Sequence, residues 1–186
     1  YQTAIEQAIT DSVIASDGRT MALFTSHASL QMTSKAIRSD LKARGITVLA
    51  QGVDGSPANL VKRFMEDPSS VLLGTASFWE GIDLPGELLE ILILAKLPFA
   101  VPTEPTTKAF SDLLESQNRN PFLDFNVPES VIKFRQGFGR LIRTTQDNGV
   151  FIVMDERVAK KRYGKSFSDA IPSEMISFSN INEIHI

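Results

Sequence analysis

The 186-residue chain has no cysteine, which excludes disulfides, iron–sulfur clusters and thiol nucleophiles within it. A reducing compartment, the cytoplasm, is the expected location. The only two histidines, His27 and His185, are too few and too far apart for a zinc site. No apolar run reaches the ~18 residues of a membrane span. The longest, from Ile91 to Leu97, is interrupted by Lys96, so no membrane partner is expected. No G-x-x-x-x-G-K-[ST] phosphate loop is present, and neither is a G-x-S-x-G or G-x-G-x-x-G signature. A self-contained hydrolase or transferase therefore has little to stand on. The chain starts at Tyr1 rather than Met and continues in polar sequence, which reads as a piece of a longer polypeptide.

A chain of this length holds one domain with a core of its own. Short apolar runs at Met21–Phe24, Ile46–Leu49, Val71–Leu73, Leu88–Leu94 and Val150–Met154 read as buried strands. Helical spacing covers Thr3–Ala15, Ser29–Ala43, Ser56–Met65, Thr106–Ser116 and Ser130–Phe138, with Gly18 and Gly45 as stops for the first two. The segment from Val158 to Ile186 reads as a short helix and a final edge strand. Strands alternating with helices predict a doubly wound α/β domain, with a mainly parallel sheet and helices on both faces. In such sheets ligands bind where strands end. Three polar tips leave strands there: Thr25-Ser26-His27, Thr75 to Asp83, and Asp155-Glu156-Arg157.

Two stretches carry chemistry. Gly74 to Gly86, GTASFWEGIDLPG, holds the only tryptophan, Trp79, the carboxylates Glu80 and Asp83, and three glycines. Its glycines would let backbone N–H groups approach an anion. The same pattern also reads as a tight turn with Trp79 over the core, or as a metal pair at Glu80 and Asp83. Gln136 to Thr144, QGFGRLIRT, places Gln136, Arg140 and Arg143 at i, i+4 and i+7, along one face if the preceding helix continues. Guanidinium forks match phosphate oxygens bidentately, so this line suits an anion clamp. A solvated face with scattered arginines is the competing reading. Gly137 and Gly139 argue against that, because they weaken a helix unless something must approach it closely. Charge is also uneven. The chain carries a net −3, yet between Ile132 and Lys165 nine basic residues face three acidic ones, a surface able to meet a polyanion.

Taken together and in order, these motifs resemble the second motor domain of superfamily 2 helicases of the DinG/XPD type, in its bacterial DinG branch. ALFTSHASL (Ala22–Leu30) resembles helicase motif IV, GTASFWEGIDLPG motif V, and QGFGRLIRT the motif VI pattern Q-x-x-G-R-x-x-R. LAKLPFAVPTEP (Leu94–Pro105) and MDERV (Met154–Val158) resemble the same branch, so the likeness spans nearly all of residues 1–186.

The resemblance implies a RecA-like domain, a P-loop NTPase helicase fold without its own phosphate loop. It would close on a first RecA-like domain of the same polypeptide that brings that loop and the Mg2+ site for ATP. It implies Arg143 as the arginine finger, with Arg140 and Gln136 beside the γ-phosphate. Gly81 and Asp83 would lie near the ribose. Thr25, Ser26 and Ser77 would offer donors to single-stranded DNA, and Trp79 could stack on a base. The parent would then be an ATP-dependent 5′–3′ DNA helicase of replication and repair, and this half alone would be inactive. Some members of that family carry an iron–sulfur domain, others an exonuclease domain. The alternative is a non-catalytic RecA-like module that binds nucleic acid or protein.

Overall fold

The computed structural model describes residues 1–75, 78, 88–144 and 146–178. The strands are β1 (Thr20–Leu23), β2 (Thr47–Ala50), β3 (Ser70–Gly74), β4 (Ile91–Leu94) and β5 (Val150–Val153). They form one sheet in the order β2-β3-β1-β4-β5, and each pairing is parallel. The helices are α1 (Gln2–Ala15), α2 (His27–Ala43), α3 (Pro57–Glu66), α4 (Pro105–Ser116) and α5 (Val127–Leu141). Short turns follow β5: α6 (Arg157–Lys160), a 3-10 turn at Arg162–Gly164, and α7 (Lys165–Ser168).

Strand side chains alternate between two cores, as the pleat requires. Ala22, Val71, Leu73, Ile91 and Ile93 pack under α1 and α2, against Ile5, Ile9, Val13, Leu30 and Leu41. Met21, Leu23, Leu72, Leu92 and Leu94 pack on the other face with Leu60 and Phe64 of α3, Phe134 and Phe138 of α5, and Phe167. Strands buried on both faces read as continuous apolar runs, and that is why the sequence announces them. The doubly wound α/β expectation is met.

The boundaries follow local chemistry. Ser26 and Ser56 cap α2 and α3, each side chain accepting from the N–H three residues on, and Pro57 sits at the first turn of α3. Gly18 has φ +109°, and a Cβ there would stand 2.5 Å from the carbonyl oxygen of Pro68. The fourth strand begins at Ile91 rather than Leu88. Glu90 stays outside it, its side chain paired with Arg19 at 2.6 Å.

At the chain's end the described residues reach Phe178 and contain no strand after β5. The rest of the expected edge strand lies outside them. The long stretch between Pro98 and Pro128 holds α4 and a single π-helical turn, Phe122–Asn126, leading straight into α5. Phe110 of α4 stacks on Phe125 with ring centroids 5.0 Å apart.

Candidate nucleotide and nucleic-acid surfaces

Because all five strands run the same way, the sheet has one edge where strands end and one where they begin. The expected site residues divide between the two edges. Thr25 and Ser26 leave β1 at the strand-ending edge, both exposed. Ser26 Oγ accepts from Ser29 N–H at 3.5 Å, so it serves the cap of α2 while facing solvent. His27 Nε2 lies 3.4 Å from Thr75 Oγ1. Thr75 is also bound to the β2 tip: its N–H and its hydroxyl both donate to Gln51 Oε1, at 2.8 and 2.9 Å. Gln51 thus joins the tips of β2 and β3. Sequence reasoning missed it, since a lone glutamine after an apolar run carries no pattern.

Gly74 ends β3 for a packing reason. A Cβ on it would stand 2.6 Å from the ring of Phe78, which is fully buried. This glycine makes room for Phe78, so anion approach is not needed to explain it. Ser77, Trp79, Glu80, Gly81 and Asp83 fall outside the described residues.

The third polar tip, after β5, is largely a clasp. Asp155 is 7% exposed. Its carboxylate accepts from Leu97 N–H at 3.0 Å and from the Arg157 side chain at 2.6 to 3.1 Å. Burial pushes the Asp155 carboxyl up, but the Arg157 fork and the two N–H donors outweigh it and hold the group below the ordinary carboxylate range. Asp155 in turn raises Arg157, whose guanidinium lies 5.1 Å from the centre of the Phe99 ring. Asp155 ties β5 to the segment after β4. Lys160 pairs with Glu156 at 2.6 Å, while Lys161, Arg162 and Lys165 are exposed.

Gln136, Arg140 and Arg143 belong to the opposite edge. Leu141, the last residue of α5, lies against Gly149, which immediately precedes β5, and the carbonyl of Glu90, which precedes β4, borders the same glycine. So α5 descends the sheet and ends where strands begin. The three residues do not share one helical face as the spacing suggested. The helix ends at Leu141, Ile142 turns extended (φ −115°, ψ 105°), and Arg143 stands beyond it. Gln136 and Arg143 are exposed and Arg140 is half-buried. A Cβ on Gly139 would meet nothing within 4 Å. Among the described residues no neighbour explains that glycine, and the surface at Gly139 itself is open.

The donor set at this edge, an amide and two guanidinium groups, suits a polyphosphate. It does not suit a metal, and among the described residues no group of three His, Asp or Glu could hold one. No described helix is long and apolar enough to cross a membrane.

Residues 9–174 match the helicase C-terminal domain family. Over 165 residues the chain is 39% identical to "3'-5' exonuclease DinG" of Bacillus subtilis, covering 88% of this chain and 18% of that protein. It is 38% identical over 159 residues to "ATP-dependent DNA helicase YoaA" of Haemophilus influenzae, covering 86% of this chain and 24% of that protein. The chain therefore spans about a fifth to a quarter of these relatives. Among solved structures, an XPD helicase overlaps 91% of this chain and 31% of its own, with a TM-score of 0.65 at 16% identity. The Escherichia coli DEAD-box protein SrmB overlaps 98% and 87%, with a TM-score of 0.58 at 13% identity. At these identities the structural likeness speaks for the fold, a RecA-like one.

Proposed function

Since the chain belongs to the helicase C-terminal domain family, we propose that it is the second motor half of an ATP-dependent DNA helicase. The observation that carries this reading is the division of polar groups between the two sheet edges. Guanidinium donors with open space beside Gly139 stand where strands begin, and hydroxyl and imidazole groups stand where strands end. A strand of four residues is about 13 Å long, so one rigid sheet presents two ligand surfaces that cannot mix. A motor that converts nucleotide turnover into movement along a strand needs such an arrangement.

At the strand-beginning edge, Gln136, Arg140 and Arg143 face the triphosphate of ATP held by a first RecA-like domain of the same polypeptide. Phosphoryl transfer spreads charge over the γ-phosphoryl oxygens, and a positioned guanidinium stabilises it. Arg143 acts as that finger, worth ~10³–10⁵ in rate where fingers have been removed. Because it arrives from another domain, turnover depends on closure, and ATP favours the closed form. Mg2+ neutralises phosphate charge in such sites, and its ligands come from the first domain. Gly81 and Asp83 are assigned to the ribose on the motif resemblance.

At the strand-ending edge, Thr25 and Ser26 donate to backbone phosphates of single-stranded DNA; Ser77 as a further donor and Trp79 as a stacking ring rest on the motif resemblance. Such contacts ignore sequence, as a translocating motor requires. Movement is 5′ to 3′, in replication and repair, in the cytoplasm. One matched relative is named an exonuclease and another a helicase. A segment common to both names is better assigned to the motor than to a nuclease.

The test is ATP hydrolysis by the full parent, with and without single-stranded DNA, in wild type and Arg143→Ala. DNA-stimulated turnover that disappears in the variant is expected, with DNA binding retained. Robust hydrolysis by residues 1–186 alone would sink the proposal. Intact turnover after Arg140 and Arg143 are both replaced would leave a non-catalytic binding module.

A further inference from the structure

Arg143 sits on a loop, yet its backbone is not loose. Beyond the end of α5, the N–H groups of Arg143 and Thr144 both donate to one oxygen, Asp147 Oδ2, at 2.8 Å each. Asp147 N–H returns to the Thr144 carbonyl at 3.3 Å, and Gln146 N–H donates to Thr144 Oγ1 at 3.3 Å. The carboxylate thereby closes a small ring that ties down the backbone of residues 143 and 144 just after the helix unwinds at Ile142. The position of the acid needs explaining, because negative charge near a helix C-terminus opposes the helix dipole. Two amide donors offset that, those of Thr144 first and Arg143 second. They hold the Asp147 carboxyl below the ordinary carboxylate range, so it is ionised throughout neutral pH.

We infer that Asp147 is a positioning residue for phosphoryl transfer: its carboxylate fixes the backbone of Arg143 and so aims the guanidinium that the proposed function places at the γ-phosphate. The inference rests on that reading of Arg143. The physical case is one of reach. Arg143 has a long, flexible side chain, and its guanidinium must arrive in one place when the domains close. A backbone left free at its root adds error at the tip, and misplacement by about 1 Å can cost 10²-fold in rate. Asp147 makes these bonds to backbone N–H groups, so they fix the point from which the Arg143 side chain starts.

The experiment uses the full parent with saturating single-stranded DNA. Asp147→Ala is expected to lower kcat by about 10- to 100-fold with KM for ATP nearly unchanged, because ground-state phosphate contacts persist. Asp147→Asn keeps a neutral acceptor oxygen, and its bonds are roughly half as strong as the charged ones. It should recover most of the loss, which shows that the alanine effect comes from the acceptor. Single-turnover measurements read the residual rate of Arg143→Ala that a steady-state assay misses, and adding Asp147→Ala should not lower that residual rate further. Hydrogen exchange at the amides of Arg143 and Thr144 should speed up in Asp147→Ala. Normal kcat in Asp147→Ala while Arg143→Ala is inactive would overturn this inference and leave the finger in place. An undiminished Asp147→Ala loss on the Arg143→Ala background would also overturn it, by showing a general structural effect. Normal turnover in Arg143→Ala would instead overturn the proposed function.

Discussion

Gln51 Oε1 accepts twice from Thr75, from the backbone N–H and from the hydroxyl, and so bolts the tip of β2 to the end of β3. Thr75 is only 7% exposed, so water cannot readily replace the glutamine. Gln51→Leu should therefore destabilise the fold by about 1–3 kcal/mol, the cost of leaving buried donors without an acceptor. Gln51→Glu keeps an acceptor oxygen and should cost less. Urea unfolding of the three proteins compares them directly, and equal midpoints for wild type and leucine would refute the account.

Gly18 turns the chain from α1 into β1 at φ +109°, with Pro68 O and Ser70 N crowding the place of a Cβ at 2.5 and 2.6 Å. Both obstacles are backbone, which cannot rotate away. Gly18→Ala should cost well over 1 kcal/mol, since the residue meets an unfavourable φ and a collision together. Gly45→Ala has the unfavourable φ of +80° with nothing within 4 Å, and should cost less. Thermal unfolding of the pair isolates the collision.

The Asp155 clasp gives the fold an acid dependence whose sign can be worked out. Its folded pKa lies below the ordinary value of 3.8, because Arg157 and the N–H groups of Leu97 and Arg157 together exceed the cost of burial. A depressed carboxylate contributes stability that is complete above 3.8 and is lost as pH falls through the folded pKa. Asp155→Asn should lower stability at pH 7 and flatten the decline below pH 3.8. Chemical denaturation of both proteins across that range checks it, and parallel curves would remove Asp155 from the acid limb. Asp54, lowered by Arg38 and the Ala50 N–H against its own desolvation, contributes in the same direction.

What the sequence made legible depends on where each signal originates. Strands such as Val71–Leu73 are buried on both faces, and the demand for apolar side chains is written residue by residue. The end of α5 is not written that way. Leu141 and Ile142 continue the apolar spacing, so the spacing leaves open whether the helix read over Ser130–Phe138 continues through Arg143. The helix stops at Leu141, and just beyond it the carboxylate of Asp147, downstream, takes the Arg143 and Thr144 N–H groups. Periodicity registers which face is buried but not where a distant carboxylate captures the backbone. The Asp155 tip shows the converse limit. A polar trio at a strand end reads as a ligand site, yet two of its three side chains bind each other and the chain beside them. The arginine motif was readable in composition, but its edge of the sheet was not, because that depends on the direction in which α5 descends.

The division between edges also makes the two proposed activities separable in the full parent. Thr25→Glu places a negative charge on an exposed position where strands end, and should weaken single-stranded DNA binding by about tenfold, the order of one charge-assisted hydrogen bond. Its effect on turnover should disappear at saturating DNA. Arg140→Ala removes a cation where strands begin, and should lower turnover while DNA affinity holds. Sites more than about 10 Å apart with no shared partners act additively, so the double variant should show the product of the two effects. Fluorescence anisotropy with a labelled oligonucleotide and a coupled ATPase assay measure the two sides. Loss of DNA affinity in Arg140→Ala equal to that in Thr25→Glu would mean that one surface, not two, meets the polyanion. The sheet would then be no lever between nucleotide and strand.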